Sequence, residues 1–205
     1  FPVVSGNLDL SQEPLLKNHV KDSVIIDIGG QKIGIVSALA TDTVDTSSPG
    51  DNVKFIDEIA ALKEDVAKME ANGINKIIAL THVGLPRDIE IAKSVPGIDL
   101  IIGGHSHSKM LNEEGSNYSY PEMVGSVPVV QAYAYTKYLG KLTVSFDGSG
   151  NVTAATGDPI LLDASIIPDE ETAARIAEMG APIEEMKRKV VANAASDIDG
   201  DRANC

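Results

Sequence analysis

Two nearly continuous apolar runs, each followed by polar residues and histidine, constrain this chain more than any other feature of its sequence. Residues 74–80 (INKIIAL) and 98–102 (IDLII) are typical of strands that are buried on both faces of a parallel sheet. A short helix is predicted between them at about residues 87–95, ending before Pro96 and Gly97. This order of strand, helix and strand predicts an α/β fold.

Two antiparallel hairpins are predicted on either side of this unit. Residues 23–28 and 31–39 are β-branched runs joined by a Gly-Gly pair, a two-residue turn of the kind that primed turn geometries favour. Residues 139–146 and 152–162 flank a second turn signal, DGSG.

Helical spacing of apolar residues occurs in two further regions. The first follows an N-cap that we place at Asp51 or Asn52, and Gly73 ends it. The second begins at about residue 169. There we expect Gly180 and Pro182 to divide the helical pattern into two helices, with the proline in the first turn of the second.

Composition excludes several classes of function. The chain has 17 Lys and Arg against 30 Asp and Glu, a net charge of −13 over 205 residues. Nucleic acids and anionic membranes attract clustered positive charge, so neither is expected as a partner. No apolar run approaches the roughly 18 residues that a membrane span needs, and one Cys leaves no intrachain disulfide.

Three of the four histidines follow the two buried strands. His82 comes directly after the first strand, and His105 and His107 follow the second strand after a Gly-Gly pair. Ligands bind at the carboxyl ends of such strands, so we expect the three imidazoles to converge on metal ions there. Each of them alone is compatible with an ordinary loop histidine, and His19, in a polar loop, is expected to be one. No Asp-x-His or Gly-Asn-His occurs, so the residues supply only part of a dinuclear site.

The same segments carry a resemblance to a known family. Residues 81–84 (THVG) and 95–108 (VPGIDLIIGGHSHS) resemble the second half of the calcineurin-like metallophosphoesterase domain, and most of all the 5′-nucleotidase family. Residues 1–7 (FPVVSGN) look like the strand that follows the Gly-Asn-His-Glu motif of that family. The resemblance implies a partial metallophosphoesterase sandwich over residues 1–165, with mixed sheets and flanking helices. Residues 166–205 would form a helical linker toward a C-terminal substrate-binding domain.

The resemblance also implies an activity, a pair of metals and a location. It implies a phosphoester hydrolase of the 5′-nucleotidase or 2′,3′-cyclic-nucleotide phosphodiesterase type, with two divalent ions, most often Zn or Mn. His82 and His105 would ligate one ion and His107 the other. The catalytic His of the family matches a position before Phe1, so this portion is expected to be incomplete and inactive by itself. The location implied is periplasmic, extracellular or cell-surface.

Two alternatives keep the fold and change the function. One is a non-catalytic metal-binding or interaction module. The other is a hydrolase of sulfur esters on the same scaffold. Asp-x-His and Gly-Asn-His motifs in preceding sequence would favour the enzyme over the module, and substrate profiling would distinguish the two hydrolases.

Overall fold

The computed structural model describes residues 1–200, and the chain divides into two compact units, Phe1–Leu162 and Asp163–Cys205. Within the described residues the strands are β1 (Val3–Val4), β2 (Leu8–Asp9), β3 (Val20–Lys21), β4 (Ser23–Ile28), β5 (Gln31–Leu39), β6 (Lys54–Phe55), β7 (Ile77–His82), β8 (Leu100–Ile102), β9 (Glu122–Val124), β10 (Val127–Val130), β11 (Tyr138–Leu139), β12 (Leu142–Phe146), β13 (Val152–Gly157) and β14 (Ile160–Leu161). The helices are α1 (Thr43–Thr46), α2 (Glu58–Ala71), α3 (Leu85–Ser94) and α4 (Glu170–Arg188).

A six-stranded mixed sheet organises the first unit, in the order β4-β5-β7-β8-β10-β9. Strands β5, β7, β8 and β10 run parallel, and β4 and β9 add antiparallel edges. Ile77, Ala79 and Ile101 lie on one face of the central strands and are each no more than 1% exposed. Leu80 and Ile102, on the opposite face, are 45% and 39% exposed. The prediction that both faces are buried is therefore wrong for this part of the sheet, because an apolar run does not itself show that a second layer packs on the other face. The predicted mixed α/β fold is confirmed.

The hydrophobic core lies between this sheet and helices α2 and α3. Leu62 and Val66 of α2 face the sheet, as do Leu85 and Ile91 of α3, and all four are buried. Aliphatic side chains dominate the core, because the chain has no Trp and few other aromatic residues. The two helices are therefore held against the sheet by burial of apolar surface.

Both predicted hairpins are present. Strands β4 and β5 pair in register through Gly29 and Gly30, whose φ angles of 60° and 80° suit a type I′ turn. Strands β12 and β13 form the second hairpin, with an irregularity in register between Ser145 and Phe146. Glycine is needed at the first turn because both central residues have positive φ.

The predicted start of α2 at Asp51 or Asn52 is wrong. Asp57 is the N-cap, and its side chain accepts a hydrogen bond from the backbone N–H of Ala60 at 2.9 Å. The preceding residues form β6, which pairs with β2 almost fifty residues earlier in the chain. A strand pairing between such distant segments overrides the local helical spacing, and helix α2 begins later as a result.

The predicted division of the C-terminal helix is also wrong. Helix α4 continues through Gly180 and Pro182 as one element. Proline removes one backbone hydrogen bond from a helix interior. Because nearly all residues of α4 are exposed, water can satisfy the carbonyl that loses its donor. None of the described helices is both long and apolar enough to cross a bilayer. Residues 201–205, which the predicted linker also includes, lie outside the described residues.

Candidate metal-binding site

The carboxyl ends of β7 and β8 bring two of the predicted histidines together. His82 is the last residue of β7, and His105 follows β8 after Gly103 and Gly104. Their ring centroids lie 5.3 Å apart with the ring planes at 70°. A Cβ built on Gly104 would lie 2.8 Å from Nδ1 of His82, so only glycine at that position leaves room for this imidazole. Glycine is therefore required at position 104 for a steric reason, because a side chain there would collide with the His82 ring.

His82 is poised as a neutral imidazole. Burial is the main cause that lowers the pKa of His82. The nearby His105 and His107 lower this pKa further, whereas the carboxylate of Asp42 raises it. The neutral ring is the form that ligates metal ions. The environment of His82 therefore favours the protonation state that a metal requires.

The turn that carries His105 and His107 adopts an uncommon backbone. Their φ angles are 76° and 51°, in the left-handed region that non-glycine residues seldom occupy. Such conformations persist only where the surroundings hold them. Here the buried side chain of Gln131 holds the turn: its Nε2 donates to the carbonyl of Gly104 at 2.9 Å, and its Oε1 accepts from the backbone N–H of Ser108.

Sequence reasoning did not identify Gln131, although the signal was present. Gln131 directly follows β10, the next parallel strand beyond β8. The rule that located the histidines, that functional side chains collect at the carboxyl ends of parallel strands, applies to this strand as well. The prediction from the sequence is confined to the strand ends that carry histidine.

Asp42 is a second residue of this site that was not predicted from the sequence. Its Oδ2 lies 3.3 Å from Nε2 of His105, and it precedes the short helix α1 beyond the end of β5. Strand β5 pairs with β7, so Asp42 too belongs to a parallel strand end. A carboxylate beside an imidazole is one of the groups that can fix the orientation and tautomer of the ring.

The structure places the other two histidines differently. The ring of His107 stands edge-on to Tyr135, with centroids 5.2 Å apart and planes at 67°. His107 is exposed, and its influence on the pKa of His82 puts it in the same electrostatic neighbourhood. His19 is exposed in the loop before β3, at the position where an ordinary loop histidine was expected.

The donor chemistry of this edge fits a metal ion in part. Imidazole suits Zn, Mn and related divalent ions, and the His82 and His105 rings are close neighbours. Over residues 1–200, no group of three or more His, Cys, Asp or Glu side chains is arranged to hold an ion by itself. The edge therefore presents a pair of imidazoles with an adjacent carboxylate, Asp42, rather than a full coordination sphere.

Comparison with known proteins identifies the family. The whole chain aligns with the 5′-nucleotidase of Diplobatis ommata at 37% identity and with the human 5′-nucleotidase at 35%. The solved structure of a 5′-nucleotidase precursor from Thermus thermophilus superposes with a TM-score of 0.88 at 32% identity, covering 99% of this chain. The chain belongs to the 5′-nucleotidase family. The resemblance noted at residues 81–84 and 95–108 is confirmed, and no protein-family profile matches the chain.

The similarity covers a part of each relative. The chain spans 37% of the Diplobatis protein, 38% of the human one and 42% of the Thermus chain. The NAD nucleotidase of Haemophilus influenzae shares 27% identity and a TM-score of 0.79 over 93% of this chain. A sulfate thiohydrolase of Thermus thermophilus shares the fold, with a TM-score of 0.73 at 23% identity.

Proposed function

We propose that this 5′-nucleotidase family chain is part of a metal-dependent hydrolase that removes phosphate from nucleotides. The observation that carries the proposal is the convergence of His82 and His105, 5.3 Å apart at the carboxyl ends of adjacent parallel strands. The substrate class comes from the relatives, which are named as 5′-nucleotidases and, in one solved structure, as an NAD nucleotidase.

Three histidines have proposed roles in this reaction. His82 and His105 would hold one divalent ion, and His107 would contribute to the site of a second ion, with Zn or Mn as the metals. Two ions held there would supply Lewis acidity toward the phosphoryl group and a water of lowered pKa. Positive charge from the ions would also offset the net charge of −13 that otherwise repels an anionic substrate.

The remaining residues of the edge would orient these ligands. Asp42, at 3.3 Å from Nε2 of His105, would accept a hydrogen bond from that nitrogen and present the other ring nitrogen to the metal. Gln131 would hold the left-handed turn in place through its two backbone hydrogen bonds. Both roles concern orientation of the imidazoles, because neither side chain needs to reach the substrate.

Domain organisation and location are part of the same proposal. Residues 1–165 would form the C-terminal half of a catalytic domain, and residues 166–205 would lead toward a substrate-binding domain. The residues present here would be inactive alone, and the catalytic His would match a position before Phe1. A periplasmic, extracellular or cell-surface location is supported by relatives from snake venom.

The test is hydrolysis of AMP by the full-length protein. We expect phosphate release that a chelator abolishes and that Zn²⁺ or Mn²⁺ restores. Substitution His105→Ala should weaken metal binding and greatly reduce turnover, while His19→Ala, which removes an exposed loop histidine, should change neither. Unchanged turnover in His105→Ala would refute the assignment of this ligand. Metal binding without hydrolysis of any nucleotide would favour the non-catalytic module.

A further inference from the structure

A buried carboxyl lies directly beneath the two strand ends that carry the histidines. Asp88, in the first turn of α3, is 0% exposed. Its Oδ1 accepts a hydrogen bond from Oγ1 of Thr81 at 2.6 Å, and its Oδ2 has no hydrogen-bond partner among residues 1–200. A buried polar atom without a partner is costly and rare in native proteins, so its presence here needs a reason.

The position of this carboxyl suggests the reason. Thr81 immediately precedes His82 on β7, and Gly103 lies two residues before His105. A methyl group on Gly103 would overlap Oδ2 of Asp88, so the carboxyl fills the space under that glycine. One side chain therefore contacts both strand ends, by a hydrogen bond on one side and by close packing on the other.

The backbone around Asp88 ties the same two ends to α3. The N–H of Asp88 donates to the carbonyl of Gly84 at 2.9 Å, and the N–H of Gly84 donates to the carbonyl of Gly104 at 3.1 Å. The start of α3, which follows β7, is thus hydrogen-bonded to the turn after β8. Asp88 is the side chain enclosed by these connections.

We propose that Asp88 is a positioning residue that sets the separation of His82 and His105 through its hydrogen bond to Thr81 and its packing under Gly103. The inference rests on the proposed metal-binding function of the two histidines. Binding sites need their ligands held to within about 0.5 Å, and a carboxyl wedged between both strand ends limits their relative movement. Asp88 acts through the histidines and does not itself contact metal or substrate.

Another buried carboxyl provides a matched control. Asp65 of α2 is 2% exposed, and a Cβ on Gly6 would overlap its Oδ2. Within the described part of the chain, that oxygen also has no hydrogen-bond partner. Oδ1 of Asp65 pairs with Lys68. Asp65 shares the burial, the unpaired oxygen and the glycine contact of Asp88, but it lies on a different helix from the one that follows His82.

The experiment measures Zn²⁺ affinity of the full-length protein by competition with a chromogenic chelator. We expect Asp88→Ala to weaken the affinity by about 10- to 100-fold, the usual effect of removing a residue that supports metal ligands. Asp88→Asn keeps the volume and the acceptor for Thr81, and it should retain most of the affinity. Asp65→Ala should lower the urea midpoint and leave the Zn²⁺ affinity unchanged.

Co²⁺ spectroscopy tests the ligand geometry directly, and two Thr81 variants test the same hydrogen bond if Asp88→Ala does not fold. The absorption bands of bound Co²⁺ report ligand geometry, and they should change in Asp88→Ala but not in Asp65→Ala. If Asp88→Ala does not fold, Thr81→Val removes the hydrogen bond at nearly constant volume and should weaken Zn²⁺ binding. Thr81→Ser, which keeps the hydroxyl, should restore it.

The outcomes separate this inference from the proposed function. If the wild type binds Zn²⁺ and His105→Ala loses it, then unchanged affinity in Asp88→Ala and Thr81→Val overturns the positioning role alone. An equal loss in Asp65→Ala also overturns it, because general destabilisation would then explain the effect. If the wild type binds no Zn²⁺, Mn²⁺ or Co²⁺, both the proposed function and the positioning role fail.

Discussion

Replacement of Asp88 by Asn should flatten the pH dependence of stability. Burial raises the pKa of Asp88 to about 7 from 3.8, and the hydrogen bond from Thr81 offsets only part of the increase. Ionising this carboxyl therefore costs about 4 kcal/mol more in the folded protein than in the unfolded chain. A raised carboxyl pKa means that the contribution of Asp88 to stability is complete below pH 3.8 and is lost as pH rises through about 7.

The assay is urea unfolding of the wild type and Asp88→Asn at pH 5, 6 and 7. From pH 5 to pH 7 the free energy of unfolding of the wild type should fall by about 2 kcal/mol relative to the variant, which has no proton to lose. The comparison at each pH cancels the titration of all other groups. If the free energies of unfolding of the two proteins change with pH in parallel to within about 0.5 kcal/mol, the argument is refuted. Independent effects in one protein usually add to within that amount, so a smaller difference would carry no signal from Asp88.

Three further substitutions test other parts of the structure. Gly104→Ala should displace the His82 ring, because the new methyl would lie 2.8 Å from Nδ1; Zn²⁺ affinity should fall clearly, and an unchanged affinity would contradict the predicted contact. Asp57→Ala removes the N-cap bond to Ala60 and the exposed ion pair with Arg87. It should lower the free energy of unfolding at pH 7 by about 1 kcal/mol, mainly through the cap, because exposed ion pairs contribute little, and unchanged stability would contradict the cap. Leu62→Ala, at a fully buried position, should cost about 2–5 kcal/mol in urea unfolding, and a loss below about 1 kcal/mol would place Leu62 outside the core.

Local patterns in the sequence were sufficient for the elements whose structure depends on near neighbours. The Gly29-Gly30 hairpin was predicted because this turn needs positive φ at two adjacent residues, and two adjacent glycines adopt it readily. Strands β7 and β8 were predicted because continuous apolar runs are typical of central parallel strands, although the exposure of Leu80 and Ile102 on one face was not. Their predicted bounds differ from those in the structure, since β7 begins at Ile77 rather than at the start of the apolar run.

The predictions that were wrong concern helices whose bounds depend on partners far along the chain or on exposure to solvent. No local signal shows that β6 pairs with β2, and this pairing moves the start of α2 to Glu58. For α4, the turn-like character of Gly180 and Pro182 suggested a break, although an exposed helix tolerates the lost hydrogen bond. The helix propensity of a residue describes that residue alone and does not include the exposure of its position in the fold.

The candidate site shows the same limit. The juxtaposition of His82 and His105 followed from the rule for strand ends, and the structure brings these two rings together. Gln131, Asp42 and Asp88 were not predicted, because each acts through a contact with another strand end or loop. Histidines are conspicuous in a sequence, whereas the polar residues that orient them are not.

The left-handed backbone at His105 has a consequence for mutagenesis. At a φ of 76°, alanine carries the same Cβ strain as histidine but loses the ring contacts that help to hold the turn. An alanine variant therefore mixes loss of the imidazole with relaxation of the main chain. Glycine accepts this conformation without strain, so His105→Gly removes the imidazole without the Cβ strain that alanine keeps. Agreement between the two variants would attribute the defect to the ring, whereas a milder defect in the glycine variant would attribute the difference to the main chain.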